Sequence, residues 1–112
     1  MQPWKDLKAM KDRFNNWKPP IIVEGKVNKY NWIVQNKARF KLGEKVDIGS
    51  FTYINAKNNV IIEDYVQIGS HCSIYSVSTI DNNHGEVVLR KNSKIGSHST
   101  ILPNVEIGEN SI

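Results

Sequence analysis

A chain of 112 residues with 39% hydrophobic and 23% charged residues has the composition of one soluble globular domain. It leaves no room for a second sizeable core. The net charge of +4 comes without a Lys/Arg block interleaved with aromatics, which argues against nucleic-acid binding and suits an anionic ligand such as a phosphorylated cofactor or a nucleotide sugar. No apolar run approaches the about 20 residues that span a bilayer. The N-terminus lacks a signal-peptide apolar stretch, and a lone Cys72 gives no disulfide framework. The expected location is the cytoplasm, with no membrane insertion.

Residues 3–17 read as a short amphipathic helix. Pro3 suits its first turn, and Trp4, Leu7, Met10, Phe14 and Trp17 recur at three-to-four spacing. Pro19-Pro20 stops it. Residues 1–20 are expected to cap the open end of the domain formed by residues 21–112. Residues 21–41, rich in β-branched and aromatic residues and broken by Gly25 and Asn28, read as strands of irregular period.

From Leu42 the period is six. Leu42, Ile48 and Ile54 are followed, after two extra residues at Asn58-Asn59, by Ile62, Ile68, Ile74 and Ile80. After three more residues within 81–88 the pattern resumes at Leu89, Ile95, Ile101 and Ile107. Glycine takes the next position at 43, 49, 69, 96 and 108. The position four after each aliphatic is small or β-branched, as at Val46, Thr52, Cys72, Ser93 and Ser99. Neither a 3.6-residue nor a two-residue period gives this pattern. One short strand plus one corner does. The aliphatic and the small residue point inward, and glycine meets the corner's demand for positive φ or a close backbone approach. Three such units close a triangular coil, so residues eighteen apart stack, with Ile62 beneath Ile80 and Ile68 beneath Leu89. Cys72 falls in an inward slot, as packing and not as a nucleophile.

The units Ile48-Gly49-Ser50-Phe51-Thr52 and Ile68-Gly69-Ser70-His71-Cys72 resemble the repeats of the hexapeptide-repeat acyltransferases over residues 42–112. The resemblance implies an all-β, left-handed parallel β-helix, an exception to the right-handed crossover rule. It also implies a homotrimer with active sites at the subunit clefts and acetyl-CoA as co-substrate. The scaffold hosts several activities, so function turns on the site.

The segment from Ile80 to Val88 breaks the coil and carries His84. An imidazole titrates near neutral pH and can take a proton from an attacking hydroxyl or amine. The plain alternative is a solvated loop histidine beside a turn glycine. In sugar O- and N-acetyltransferases of the resembled family the catalytic histidine comes from a loop at about this place, which makes His84 the candidate general base. Asp81, Asn82, Asn83 and Glu86 are candidates for orienting it or binding the sugar, and the plain role of each is a turn former. Gly85 departs from the galactoside and maltose acetyltransferases, which have proline there. The resemblance points instead to acyltransferases of surface-polysaccharide and nucleotide-sugar pathways.

The resemblance implies a pantetheine arm lying between two subunits along the late coils, where Gly96, Ser97 and Ser99 would permit its close approach and Lys91, Lys94 or Arg90 would meet phosphates. A solvated basic edge is the alternative. His71 and His98 fall at an outward position and, by their spacing, on different faces of the prism. That placement speaks against a three-histidine zinc site of the carbonic-anhydrase kind, and no metal is expected. The chain stops part-way through a coil, at Asn110-Ser111-Ile112. The second functional class is therefore a truncated, non-catalytic assembly or binding module.

Overall fold

The computed structural model describes residues 17–80 and 82–112. The predicted N-terminal helix falls, but for Trp17, outside the described residues. Residues 17–32 contain turns but no strand, so the strands expected over 21–41 begin only at β1 (Ile33–Gln35). A single 3-10 turn, Lys37–Arg39, separates β1 from β2 (Phe40–Leu42).

From there short strands follow one another around a triangular coil. They are β3 (Asp47–Ile48), β4 (Tyr53–Asn55), β5 (Val60–Ile62), β6 (Gln67–Ile68) and β7 (Ser73–Tyr75). Then come a hairpin of β8 (Val77–Ser78) and β9 (Asn83–His84), and β10 (Val87–Leu89), β11 (Lys94–Ile95), β12 (Thr100–Ile101) and β13 (Glu106–Ile107). Each coil strand pairs in parallel with its counterpart one circuit on. The first sheet is β1-β4-β7-β12, the second β2-β5-β10-β13 and the third β3-β6-β11. These are the three faces of a parallel β-helix. Each face's inward aliphatics form a ladder, such as Val34, Ile54, Ile74 and Ile101 on the first sheet.

The corners explain the hexad. The glycine does not supply positive φ. That conformation falls two residues later, at Lys45, Phe51, Tyr65, His71, Asn92, His98, Asn104 and Asn110. Glycine answers instead the close approach of the next coil: a Cβ on Gly69 would lie 2.5 Å from Ser97 Oγ and 2.6 Å from its backbone nitrogen. Inward corner positions hold small side chains, among them Thr52, Cys72, Ser76 and Ser93, all buried. Cys72 is packing, as its slot predicts, and its thiol donates to the Gly96 carbonyl at 3.2 Å.

The stacking register corrects the sequence reading. Ile62 lies beneath Leu89, and Ile68 beneath Ile95. Ile80 is not in the core; it is 98% exposed. After Ile74 the chain leaves the prism at β8 and rejoins it at β10, so the insertion is nine residues long and not three. The same miscount places His71 and His98 on different faces. Both belong to the edge between the third and first sheets, where their rings stack at 4.8 Å and 14° with Phe51 beyond, 5.1 Å from His71.

Candidate functional site

The two breaks in the repeat meet on one edge, between the first and second sheets. The lower break, at Asn58-Asn59, widens the corner between β4 and β5. The upper break lies directly above it, between β7 and β10. Ser76 joins them. Its hydroxyl donates to the Asn55 carbonyl at 2.7 Å and accepts from the Asn58 amide at 2.9 Å. Its carbonyl accepts from Asn58 Nδ2 at 3.0 Å and from the Gly85 amide at 2.9 Å. A buried hydroxyl with both functions satisfied makes a firm footing for the loop.

On that footing β8 and β9 pair antiparallel, with Val77 opposite His84 and Ser78 opposite Asn83. The tip carries Thr79, the exposed Ile80 and Asn82, which adopts φ 51°. The predicted Asp81 lies outside the described residues. Asn83 is half-buried and Asn82 exposed. His84, on the returning strand, is exposed. Among the described residues nothing hydrogen-bonds its imidazole. Its main chain is held from above: the Asn104 side-chain amide, from the corner between β12 and β13, donates to the His84 carbonyl at 3.0 Å.

The predicted coenzyme residues sit elsewhere on the same chain. Gly96 and Ser97 are exposed on the edge between the third and first sheets, where a Cβ on Gly96 would meet only Ser99 Oγ, at 4.0 Å. Lys94 lies in β11 on the third sheet. Arg90 follows β10 and is engaged by two carboxylates, Glu106 at 2.5 Å and Glu63 at 3.0 Å. These partners, Glu106 first, raise its already high pKa. The structure thus brings His84 together with Asn82 and Asn83 but spreads these four coenzyme candidates over two edges and a face. A cleft of about 470 Å³ on the first coil, lined by Trp17, Lys29, Tyr30 and Trp32 among others, contains none of the predicted residues.

Sequence reasoning missed Asn104, Ser76 and Asn58. Asn58 stands out in the sequence only as an extra residue, and the link between the two breaks emerges once both are placed on one edge. Asn104 occupies a left-handed corner one coil beyond the insertion, a position the six-residue spacing does not set apart from the other corners.

A parallel β-helix with a histidine-bearing hairpin on one edge is the class that fold and site define. A stretch of 64 residues, 57% of this chain, is 41% identical to the UDP-3-O-acylglucosamine N-acyltransferase of Christiangramia forsetii. That stretch spans only 17% of the relative's length. No family model matches the chain, and no solved structure matches it. Among the described residues no group of three or more His, Cys, Asp or Glu could hold a metal ion, and no helix is long and apolar enough to cross a membrane.

Proposed function

We propose that the chain is the β-helical part of an acyltransferase that moves an acetyl group from acetyl-CoA to an amine or hydroxyl of a nucleotide-linked sugar. The observation that carries this reading is the hairpin. It is the place where the solenoid departs furthest from its repeat, it is bonded to the coils on either side, and it carries an exposed imidazole that makes no hydrogen bond among the described residues. The partial likeness to an N-acyltransferase acting on a glucosamine derivative supports the same reaction class.

In this reading the coil winds left-handed. The His84 imidazole takes the proton from the acceptor nitrogen or oxygen as that atom attacks the thioester carbonyl. The tetrahedral intermediate collapses, the carbon–sulfur bond breaks, and the sulfur leaves as the thiol after receiving a proton. Asp81, Asn82 and Asn83 hold the sugar. Gly96, Ser97 and Lys94 receive the coenzyme, whose phosphates compete with Glu63 and Glu106 for Arg90. Because His84 and Gly96 lie on different edges of one chain, a complete site takes its hairpin from one subunit and its coenzyme edge from the next, in a cytoplasmic homotrimer.

The test is a screen of nucleotide-linked amino and neutral sugars with acetyl-CoA, reading release of free thiol. Acceptor-dependent release that disappears in His84→Ala, with the variant still folded and of unchanged size by sedimentation, is the expected result. Full acetyl transfer by His84→Ala would sink the base assignment. Isothermal titration separates the binding-module alternative: the enzyme binds one acetyl-CoA per subunit, and the module binds none.

A further inference from the structure

We infer that Asn104 is a positioning residue for His84, acting through the main chain at His84-Gly85; the inference rests on the reading of His84 as the base. Three observations converge on this dipeptide. The Asn104 amide donates to the His84 carbonyl at 3.0 Å. The next amide, of Gly85, donates in the opposite direction, to the Ser76 carbonyl at 2.9 Å. A Cβ on Gly85 would collide with the Asn104 side chain, whose Nδ2 would lie 2.6 Å away and whose Oδ1 would be nearer still.

The peptide between His84 and Gly85 is therefore held at both ends, from the coil above by Asn104 and from the root of the hairpin by Ser76. A side chain at position 85 would displace the Asn104 side chain and with it the bond to the His84 carbonyl. A two-residue strand pairing alone leaves a hairpin prone to local opening. The Asn104 bond fixes the backbone that carries the imidazole, and a base works only when held within hydrogen-bond reach of the proton it takes. Asn104 reaches this place from a left-handed corner, φ 67°, a conformation asparagine tolerates better than most residues. The informative substitutions therefore keep that backbone: Asn104→Asp, nearly isosteric but unable to donate to a carbonyl, and Asn104→Gly.

The experiment measures thiol release from acetyl-CoA with a UDP-linked glucosamine acceptor, urea unfolding midpoints, and amide exchange of Asn83, His84 and Gly85 by NMR. The proteins are the full chain, Asn104→Asp, Asn104→Gly, Gly85→Ala, the double variant Asn104→Gly/Gly85→Ala, and His84→Gln. Asn104→Asp is expected to lower kcat about ten-fold, as a displaced base would. Its KM for acetyl-CoA and its unfolding midpoint should hold, and exchange should quicken at those three amides alone. A merely structural residue would move the midpoint and leave kcat of the folded enzyme intact. Gly85→Ala should be impaired alone, and the double variant Asn104→Gly/Gly85→Ala should be no worse than Asn104→Gly, the non-additivity expected of two residues in contact. An unchanged kcat in Asn104→Asp beside an inactive His84→Gln overturns the positioning role alone, as does additivity of the two substitutions. Full turnover by His84→Gln, or none by the unaltered chain, overturns the base reading and the role built on it.

Discussion

Asn58 and Ser76 are joined by two hydrogen bonds, backbone amide to hydroxyl at 2.9 Å and side-chain amide to carbonyl at 3.0 Å. An irregularity in one coil is thereby the support for a larger irregularity in the next. Ser76 is fully buried. Ser76→Ala removes both bonds of its hydroxyl and strands the Asn58 amide and one lone pair of the Asn55 carbonyl. The expected cost is about 2 kcal/mol, read as a lower urea midpoint at unchanged m-value. A cost indistinguishable from zero would mean that water replaces the hydroxyl.

Gly69 tests the corner argument. An alanine methyl there meets the backbone of Ser97, which cannot swing aside as a flexible side chain would. Gly69→Ala is expected to destabilise by about 2 kcal/mol or more. Gly96→Ala, in open space, should be close to neutral. Equal effects at the two sites in thermal unfolding would refute close approach as the reason for the glycine.

Much of this architecture is legible in the sequence. The six-residue spacing identifies a parallel coil, and the inward slots of Cys72 and Ser93 are buried as the spacing predicts. The register beyond Ile74 is not legible from spacing. Ile80 continues the period and is aliphatic, yet it sits on the hairpin tip, because spacing records which positions suit a corner and not whether the chain is still on the coil. The triplets Phe40-Lys41-Leu42, Val60-Ile61-Ile62 and Val87-Val88-Leu89 hold the missing signal, since they align residue for residue on one sheet. Matching them gives the nine-residue insertion and puts His71 beside His98. Of the site, His84 stands out by chemistry. Asn104 does not, because its role depends on a contact between coils that the miscounted register displaces.

Glu24 gives a dependence on pH. Its carboxylate accepts from the amides of Lys37, at 2.6 Å, and Asn36, at 2.8 Å, at the start of the 3-10 turn. The Lys37 bond chiefly, then the Asn36 bond, hold its pKa below the ordinary carboxylate range. The folded form thus binds the proton more weakly than the unfolded chain. The contribution to stability is present above the unfolded value and lost as pH falls through the folded one. Glu24→Gln should be less stable than the unaltered chain at pH 7, and the gap should close toward pH 3. A gap of constant size in denaturant titrations at the two pH values would contradict the assignment.

Arg90 offers a test of the coenzyme edge. Glu106→Gln removes one of its two carboxylate partners and leaves it more available to phosphate. If the side chain meets the coenzyme, the Kd for acetyl-CoA by isothermal titration should fall about three-fold, in line with the modest worth of an exposed ion pair. An unchanged Kd would assign Arg90 wholly to bracing the edge with Glu63 and Glu106.

The chain rejoins its own ladder at Val87, registered on Val60 as though nothing had intervened. The hairpin is in effect a side branch, closed at its base by two neighbouring rungs of the same column. Val87, Val88 and Leu89 keep the register of Val60, Ile61 and Ile62 across the nine inserted residues. In this chain one edge thus carries the inserted chemistry while the remaining edges go on carrying the fold.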